Sequence, residues 1–269
     1  TLVKSSAASD VYKRQDLNRA SKLGMKLLPQ LGELKKQSTD ELADDLSALS
    51  VSIERLNTMV SRGESNRHDL LNAVAAVKGY SEMLLDSDDG FVGPIRPAIR
   101  KMIDELTASS GAPKTPESLP KATRSLDTFE GCTILVVDDL PENLDLMSRL
   151  LGKMQCEVIT AKSGCEALDR LRDTEIDIVL LDLVMPDIDG REVLAQIKAD
   201  EYLRALPVIM ISGRQDMDQI IDCIQVGADD YLLKPVNSVL LSARIKSGIE
   251  RKRWHDKEAV SYTHLRAHE

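Results

Sequence analysis

The stretch ILVVDD, Ile134–Asp139, decides how the second half of the chain is read. Four apolar residues, most of them β-branched, have the composition of a short strand buried on both faces. Two carboxylates then stand side by side. A strand that merely reaches the surface can end in solvated acids. A pair of like charges at a strand's carboxyl end can instead share something positive.

Working outward from this stretch, short apolar runs alternate with helical periodicity from Gly131 onward. Strands are expected at 133–138, 156–160, 177–182, 207–212 and 229–233, and helices at 141–152, 163–172, 189–199, 216–227 and 237–251. Repeated βα units predict an α/β fold, a parallel sheet covered on both faces by helices. Such a sheet binds its ligand beyond the carboxyl ends of its strands, where strand order reverses. The residues at those ends are Asp138 and Asp139, then Asp182 after IDIVLL, Ser212 after PVIMI, and Lys234 before Pro235. Three carboxylates brought close together cannot all stay ionised without a cation. An all-oxygen donor set suits Mg²⁺, whereas zinc would want His or Cys, and neither stands here. Lys234 offers a point charge and Ser212 a donor, and together they could receive the oxygens of a phosphoryl group. Taken singly, Asp139 before Pro141 also fits a helix cap, Asp187 and Asp189 beside Gly190 read as turn residues, and a strand tyrosine such as Tyr231 often only packs.

The stretches ILVVDDLPEN, IDIVLLDLVMPDIDG, PVIMISG and GADDYLLKP, over roughly Gly131 to Arg251, resemble the response-regulator receiver domain of two-component signalling. That resemblance implies a five-stranded flavodoxin-like sheet of order 2-1-3-4-5. It implies Asp182 as phosphoacceptor, with Asp138, Asp139, Asp182 and the backbone carbonyl of Val184 binding Mg²⁺. Ser212 and Lys234 would bind phosphoryl oxygens. Tyr231 matches the aromatic switch residue. As Ser212 moves toward the phosphoryl group, Tyr231 could turn into the vacated space and carry the change to the face made by that domain's fourth helix, fifth strand and fifth helix. A histidine kinase or phosphotransfer protein would be the phosphodonor. Gly213 leaves backbone room beside the phosphate. Val184 can neither orient nor deprotonate an attacking water, so a phosphoryl lifetime of minutes or longer is expected.

The first half is helical. Leu42, Leu46, Leu49, Ile53, Leu56 and Val60 are spaced alternately four and three, the period of a coiled-coil seam, ending at Gly63. This spacing favours a parallel homodimer stem over one amphipathic helix packing on its own domain. A second helix is expected from His68 to Leu85, with Leu70, Val74, Val77 and Leu84 on one stripe. DSDDG (Asp86–Gly90) breaks it. Pro94 and Pro97 then suit the start of a further helix carrying Ile99, Met102, Ile103 and Leu106. RHDLLNAVAAVKGYSEMLL (Arg67–Leu85) resembles the first helix of the dimerisation and phosphotransfer (HisKA-like) domain of sensor histidine kinases. The resemblance implies His68 as a phosphorylatable histidine, Asp69 as the base beside it, and Asn72 one turn on. Ala73 stands where that family often has Pro, and no ATP-binding domain follows. DDGFVG (Asp88–Gly93) has no companion motif that would make it a nucleotide box. Three readings of His68 remain: phosphorylation in trans with relay to Asp182, retention in a domain kept for dimerisation, or a plain helix-surface residue.

Pro113, Pro116, Pro120, Gly111 and many Ser/Thr give Ser109–Thr128 a linker composition. SSAASDVYKRQ (Ser5–Gln15) and SYTHLRAHE (Ser261–Glu269) resemble translated sequencing-library adapter, so the chain is read as a piece of a longer protein. The organisation expected is an adapter-like end at 1–15, a helical stem at 16–63, a hairpin at 64–110 and a linker at 111–130. The receiver follows at 131–251, then the start of an output-connecting helix at 252–260 and an adapter-like end at 261–269.

Bulk composition agrees: 269 residues, 42% hydrophobic and 29% charged, suit about two globular domains. A net charge of −9 gives no reason to expect a nucleic-acid partner. Cys132, Cys156, Cys165 and Cys223 fall in no CxxC pair and no metal-ligand spacing. They read as reduced, buried thiols of a cytoplasmic protein. No apolar run is long enough to span a membrane. Two function classes follow. One is a non-catalytic signalling module. The other is the regulatory fragment of a larger enzyme, a hybrid histidine kinase or a receiver-linked class III nucleotide cyclase, whose catalytic domain is not in this chain.

Overall fold

The computed structural model describes residues 14–63, 67–86, 90–108, 127–213 and 217–266. The expected linker lies almost wholly outside the described residues, as do 1–13 and 267–269 of the adapter-like ends. The backbone of His68 is described and its side chain is not. The chain forms two compact units, Thr1–Thr123 and Arg124–Glu269.

The first unit contains α1 (Arg14–Lys35), α2 (Asp40–Arg62), α3 (Arg67–Asp86), a 3₁₀ turn (Gly90–Ile95) and α4 (Arg96–Ala108). α1 packs on α2 and α4, α2 on α3, and α3 on α4. The four helices thus close into a bundle made by one chain. At the crossing, Gly24 of α1 lies so near α2 that a Cβ there would fall 2.7 Å from Ile53 Cγ2, with Met102 Sδ of α4 at 3.3 Å. The Ser21 hydroxyl donates to Asn57 Oδ1 at 2.8 Å across the same pair of helices. Arg96 donates at 2.7 Å to the carbonyl of Leu85 in the last turn of α3, satisfying an oxygen with no partner inside that helix.

This arrangement gives the α2 seam partners within its own chain. Leu42, Leu46, Leu49, Ile53 and Leu56 are buried inside their own chain, so they are not an exposed stripe awaiting a second copy. Asp45, Ser52 and Met59 are buried with them, while Val60 is only half-buried. The buried stripe is therefore wider than a two-stranded seam, as a helix touching two neighbours requires. α3 carries this further, being buried continuously from Leu71 to Val77.

The second unit is built from β1 (Thr133–Val137), α5 (Pro141–Lys153), β2 (Glu157–Ala161), α6 (Gly164–Asp173), β3 (Ile178–Asp182), α7 (Gly190–Ala199), β4 (Val208–Ser212), α8 (Met217–Val226), β5 (Asp230–Leu233) and α9 (Ser238–Arg266). All strand pairs are parallel, as the βα pattern predicts, and the order is β2-β1-β3-β4-β5, as the resemblance implies. β3 and β4 are buried at every position, whereas β2 at the edge is mostly half-exposed. The period-2 alternation divides the core. Leu135, Val137, Val179, Leu181, Val208 and Met210 face α6, α7 and α8. The alternate residues face α5 and α9, where Gly248 closes on Ile178. α9 differs from expectation in running unbroken through the adapter-like residues to Arg266.

Candidate functional site

β1 and β3 are adjacent and in register at Val137–Leu181, so Asp138 and Asp182 leave the sheet at the same level. Asp139 joins them, and carboxylate oxygens of all three lie within 4.8 Å of one another. This is the one such acidic group among the described residues. Ser212 ends β4 one residue beyond Ile211, the partner of Asp182. Its carbonyl accepts the Lys234 amide at 2.8 Å, which fixes where Lys234 leaves β5.

The buried Lys234 ammonium reaches back across the sheet. It donates to Asp182 Oδ2 at 2.8 Å and to Asp138 Oδ2 at 3.1 Å. Asp138 is held from its other side as well. Asn143 donates to both of its carboxylate oxygens at 2.9 Å, and the Leu140 amide donates to Oδ1 at 2.9 Å. Asn143 lies in the quoted ILVVDDLPEN stretch, but no role for it was read there. Its signal is positional: an amide side chain on the first turn of the helix that follows the acid pair. The N-cap of α5 is Leu140, so Asp139 does not serve as that cap.

Charge decides the electrostatics. Burial of Asp182 pushes its pKa up to about 7, and the nearby Asp138 and Asp139 charges push the same way, against Lys234. Burial pulls Lys234 downward, but the Asp182 and Asp138 carboxylates outweigh it and hold its pKa above the ordinary lysine value. Asp182 rises chiefly because it is buried, and Lys234 rises because two carboxylates face it.

Ser212 is 1% exposed and its hydroxyl has no hydrogen-bond partner among the described residues. Leaving a buried hydroxyl unmatched costs about 1–3 kcal/mol, so it suits an oxygen-rich ligand. Val184 is exposed at the mouth of the site. Tyr231 is half-buried against the core below β4 and β5. The turn residues also find their places. Asp189 caps α7 by accepting the Glu192 amide at 2.8 Å. Hydrogen bonds from backbone amides, led by Ile188 and including Gly164 and Cys165 at the start of α6, hold the Asp187 carboxyl below the usual range. Gly190 packs so closely on β3 that any Cβ would collide with the backbone oxygen of Asp182. The structure thus brings Asp138, Asp139, Asp182, Ser212 and Lys234 together. Asp69 and Asn72 lie elsewhere, on α3, with Asn72 buried at 1%.

A family model described as the response regulator receiver domain matches residues 134–246. The PilG protein of Pseudomonas aeruginosa is 34% identical over 120 residues, covering 45% of this chain and 89% of that protein. This chain belongs to the response regulator receiver family. A probable cyclic di-GMP phosphodiesterase of Vibrio cholerae is 39% identical over 132 residues, covering 49% of this chain and 30% of that one. The chain therefore spans less than a third of that relative, and 25% of the response regulator PleD of Caulobacter vibrioides. Among solved structures, a receiver domain protein from Clostridium thermocellum is 35% identical, covering 46% of this chain and 98% of its own, with a TM-score of 0.44. Residues 134–246 of this chain are thus a receiver domain. Receiver domains generally depend on Mg²⁺, and the acidic cluster that such dependence calls for is present. Among the described residues no helix is long and apolar enough to cross a membrane.

Proposed function

We propose that Asp182 accepts a phosphoryl group and that the receiver passes this change on through α8, β5 and α9. One observation carries the reading: the buried Asp138, Asp182 and Lys234 and the half-buried Asp139 converge at the carboxyl edge of a parallel sheet. The residues present fit Mg²⁺, since the donors are all oxygen and the acids outnumber the lysine. Asp138, Asp139, Asp182 and the backbone carbonyl of Val184 would hold it, and when bound it neutralises carboxylate charge and the oxygens of the incoming phosphoryl group.

The chain's own residues do the rest. The ionised Asp182 carboxylate attacks phosphorus in line, forming an O–P bond as the donor's bond to phosphorus breaks and its electron pair leaves with the donor. Lys234 stabilises charge on the transferring oxygens, and Asn143 keeps Asp138 oriented. The Ser212 hydroxyl donates to a phosphoryl oxygen. Its movement frees room for Tyr231 to turn, and a charge of about −1.5 to −2 is then written onto a two-state surface. Val184 supports slow hydrolysis, with a phosphoryl half-life of minutes or longer; decay within seconds without a partner would overturn that.

α9 continues well past the sheet, which supports a signal handed along it. The acidic net charge supports a protein rather than a nucleic-acid partner. For α3, the buried Asn72 supports a bundle wall more than an open phosphotransfer face. Relay of label from a phosphorylated His68 to Asp182, lost in His68→Ala, would reverse that preference. The main test is intact mass after incubation with Mg²⁺ and acetyl phosphate, beside Asp182→Asn. A Mg²⁺-dependent phosphate gain that the variant loses is expected. No gain in folded protein that also fails to bind BeF₃⁻ would mean an inert receiver that works as a scaffold.

A further inference from the structure

At the opposite end of the same sheet, Cys132 and Cys156 each stand one residue before the paired Thr133 and Glu157 of β1 and β2. The ladder reaches them, for the Glu157 amide donates to the Cys132 carbonyl at 2.9 Å. Neighbouring strands lie about 4.8 Å apart, inside the Cα separation that a disulfide accepts. Residues level with each other on parallel strands also project to the same face. The two sulfurs are near enough to perturb each other's titration, and Cys156 Sγ also lies 3.9 Å from the Met154 carbonyl. Cys132 is buried, Cys156 half-exposed and Cys165 exposed, so the expectation that all four thiols are buried fails at two of them. The pair is hidden in the sequence because 23 intervening residues separate two positions that sheet register makes adjacent.

We propose that Cys132 and Cys156 form a reversible dithiol–disulfide pair, with Cys156 as the attacking sulfur, Cys132 as the resolving sulfur, and a low-molecular-weight disulfide such as glutathione disulfide as the oxidant. The Cys156 thiolate attacks one sulfur of the oxidant. A new S–S bond forms, the oxidant's own S–S bond breaks, and one small thiolate leaves with the electron pair. Cys132 then loses its proton to solvent and attacks Cys156 Sγ, expelling the second small thiolate. Two protein thiols are oxidised, one disulfide is reduced to two small thiols, and the two protons released by the protein end on those thiols.

The division of roles follows from the environment. Interaction with Cys132 holds the Cys156 thiol below its usual pKa, and this sulfur is the accessible one. The same interaction is the largest cause raising Cys132, followed by burial and the Asp177 carboxylate. Once Cys156 is capped as a mixed disulfide, that largest cause disappears and Cys132 is freed to resolve it. The crosslink would sit beside Asp177, which accepts the Thr133 amide at 2.9 Å and the ammonium of Lys252 from α9. Oxidation therefore acts where α9 is fastened to the sheet, at the end remote from Asp182.

The test is peptide mapping of the folded, full chain after exposure to glutathione disulfide, quenched in acid and alkylated. The exposed Cys165 reports that the reagent is active. Wild type is expected to yield a Cys132–Cys156 crosslinked peptide that dithiothreitol reverses, with a higher thermal midpoint for the oxidised form. Cys132→Ser should trap one glutathione on Cys156, and Cys156→Ser should leave Cys132 unmodified. Separate stable adducts on both sulfurs, or modification of Cys165 with neither Cys132 nor Cys156 touched, would overturn the pair. So would a crosslink that forms only in denaturant.

Discussion

The two units of this chain are both well packed, yet they announce themselves in the sequence very differently. In the receiver, each chemistry-bearing residue is tied to a strand end, and strand ends are readable from short β-branched runs. In the helical bundle, the decisive property of α2 is which neighbour covers its apolar stripe, and periodicity does not name that neighbour. Leu49 and Ile53 look the same in a sequence whether a second copy or α1 covers them. Gly24 is the local clue to the answer, since a bare backbone on α1 lets Ile53 approach.

The comparison can be broken most sharply at Lys234. Replacing it by Met leaves the buried Asp138 and Asp182 without their shared cation, which is expected to cost about 3–5 kcal/mol in metal-free urea unfolding of the receiver. Added Mg²⁺ should recover part of the loss. Leu49→Ala should cost about 2–5 kcal/mol in the helical unit through the cavity it leaves, with acetyl phosphate labelling of Asp182 unchanged. The unfolding midpoint of that unit should also be independent of protein concentration, because the seam is satisfied within one chain. A concentration-dependent midpoint would restore the dimer stem.

A titration sharpens the receiver side. Asp182 has its folded pKa raised to about 7 by burial, so the folded state keeps a proton that the unfolded state has lost. Between roughly pH 4 and pH 7 the unfolded state therefore binds fewer protons, and metal-free stability falls as pH rises through that window. The loss is on the order of a few kcal/mol. Asp182→Asn should flatten the slope and make the metal-free protein more stable at neutral pH, read from denaturation midpoints across the range. The smallest effect is expected at the α7 cap, where Asp189→Ala should cost about 1 kcal/mol and leave labelling intact.

Much of the receiver was legible because its chemistry restricts residue types at fixed points of a repeating pattern. Asp138, Asp139, Asp182, Ser212 and Lys234 could be placed from that pattern alone. Asn143 was not, since an amide on a helix's first turn has many ordinary uses, and only the two bonds to Asp138 single it out. Gly190 gained its meaning only from the nearness of the Asp182 carbonyl. The cysteine pair was illegible for the same kind of reason: separation along the chain carries no information about strand register.

The sequence by itself determined the parallel sheet and the acids and lysine at its strand ends, because alternating βα periodicity and strand-end chemistry are local properties; the strand order came only with the family resemblance. Tertiary structure alone decided that α2 is covered from within the chain, that one lysine bridges two particular acids, and that Cys132 meets Cys156. Those outcomes depend on which distant segments come into contact, and contact is set by packing the whole unit rather than by any single stretch of it.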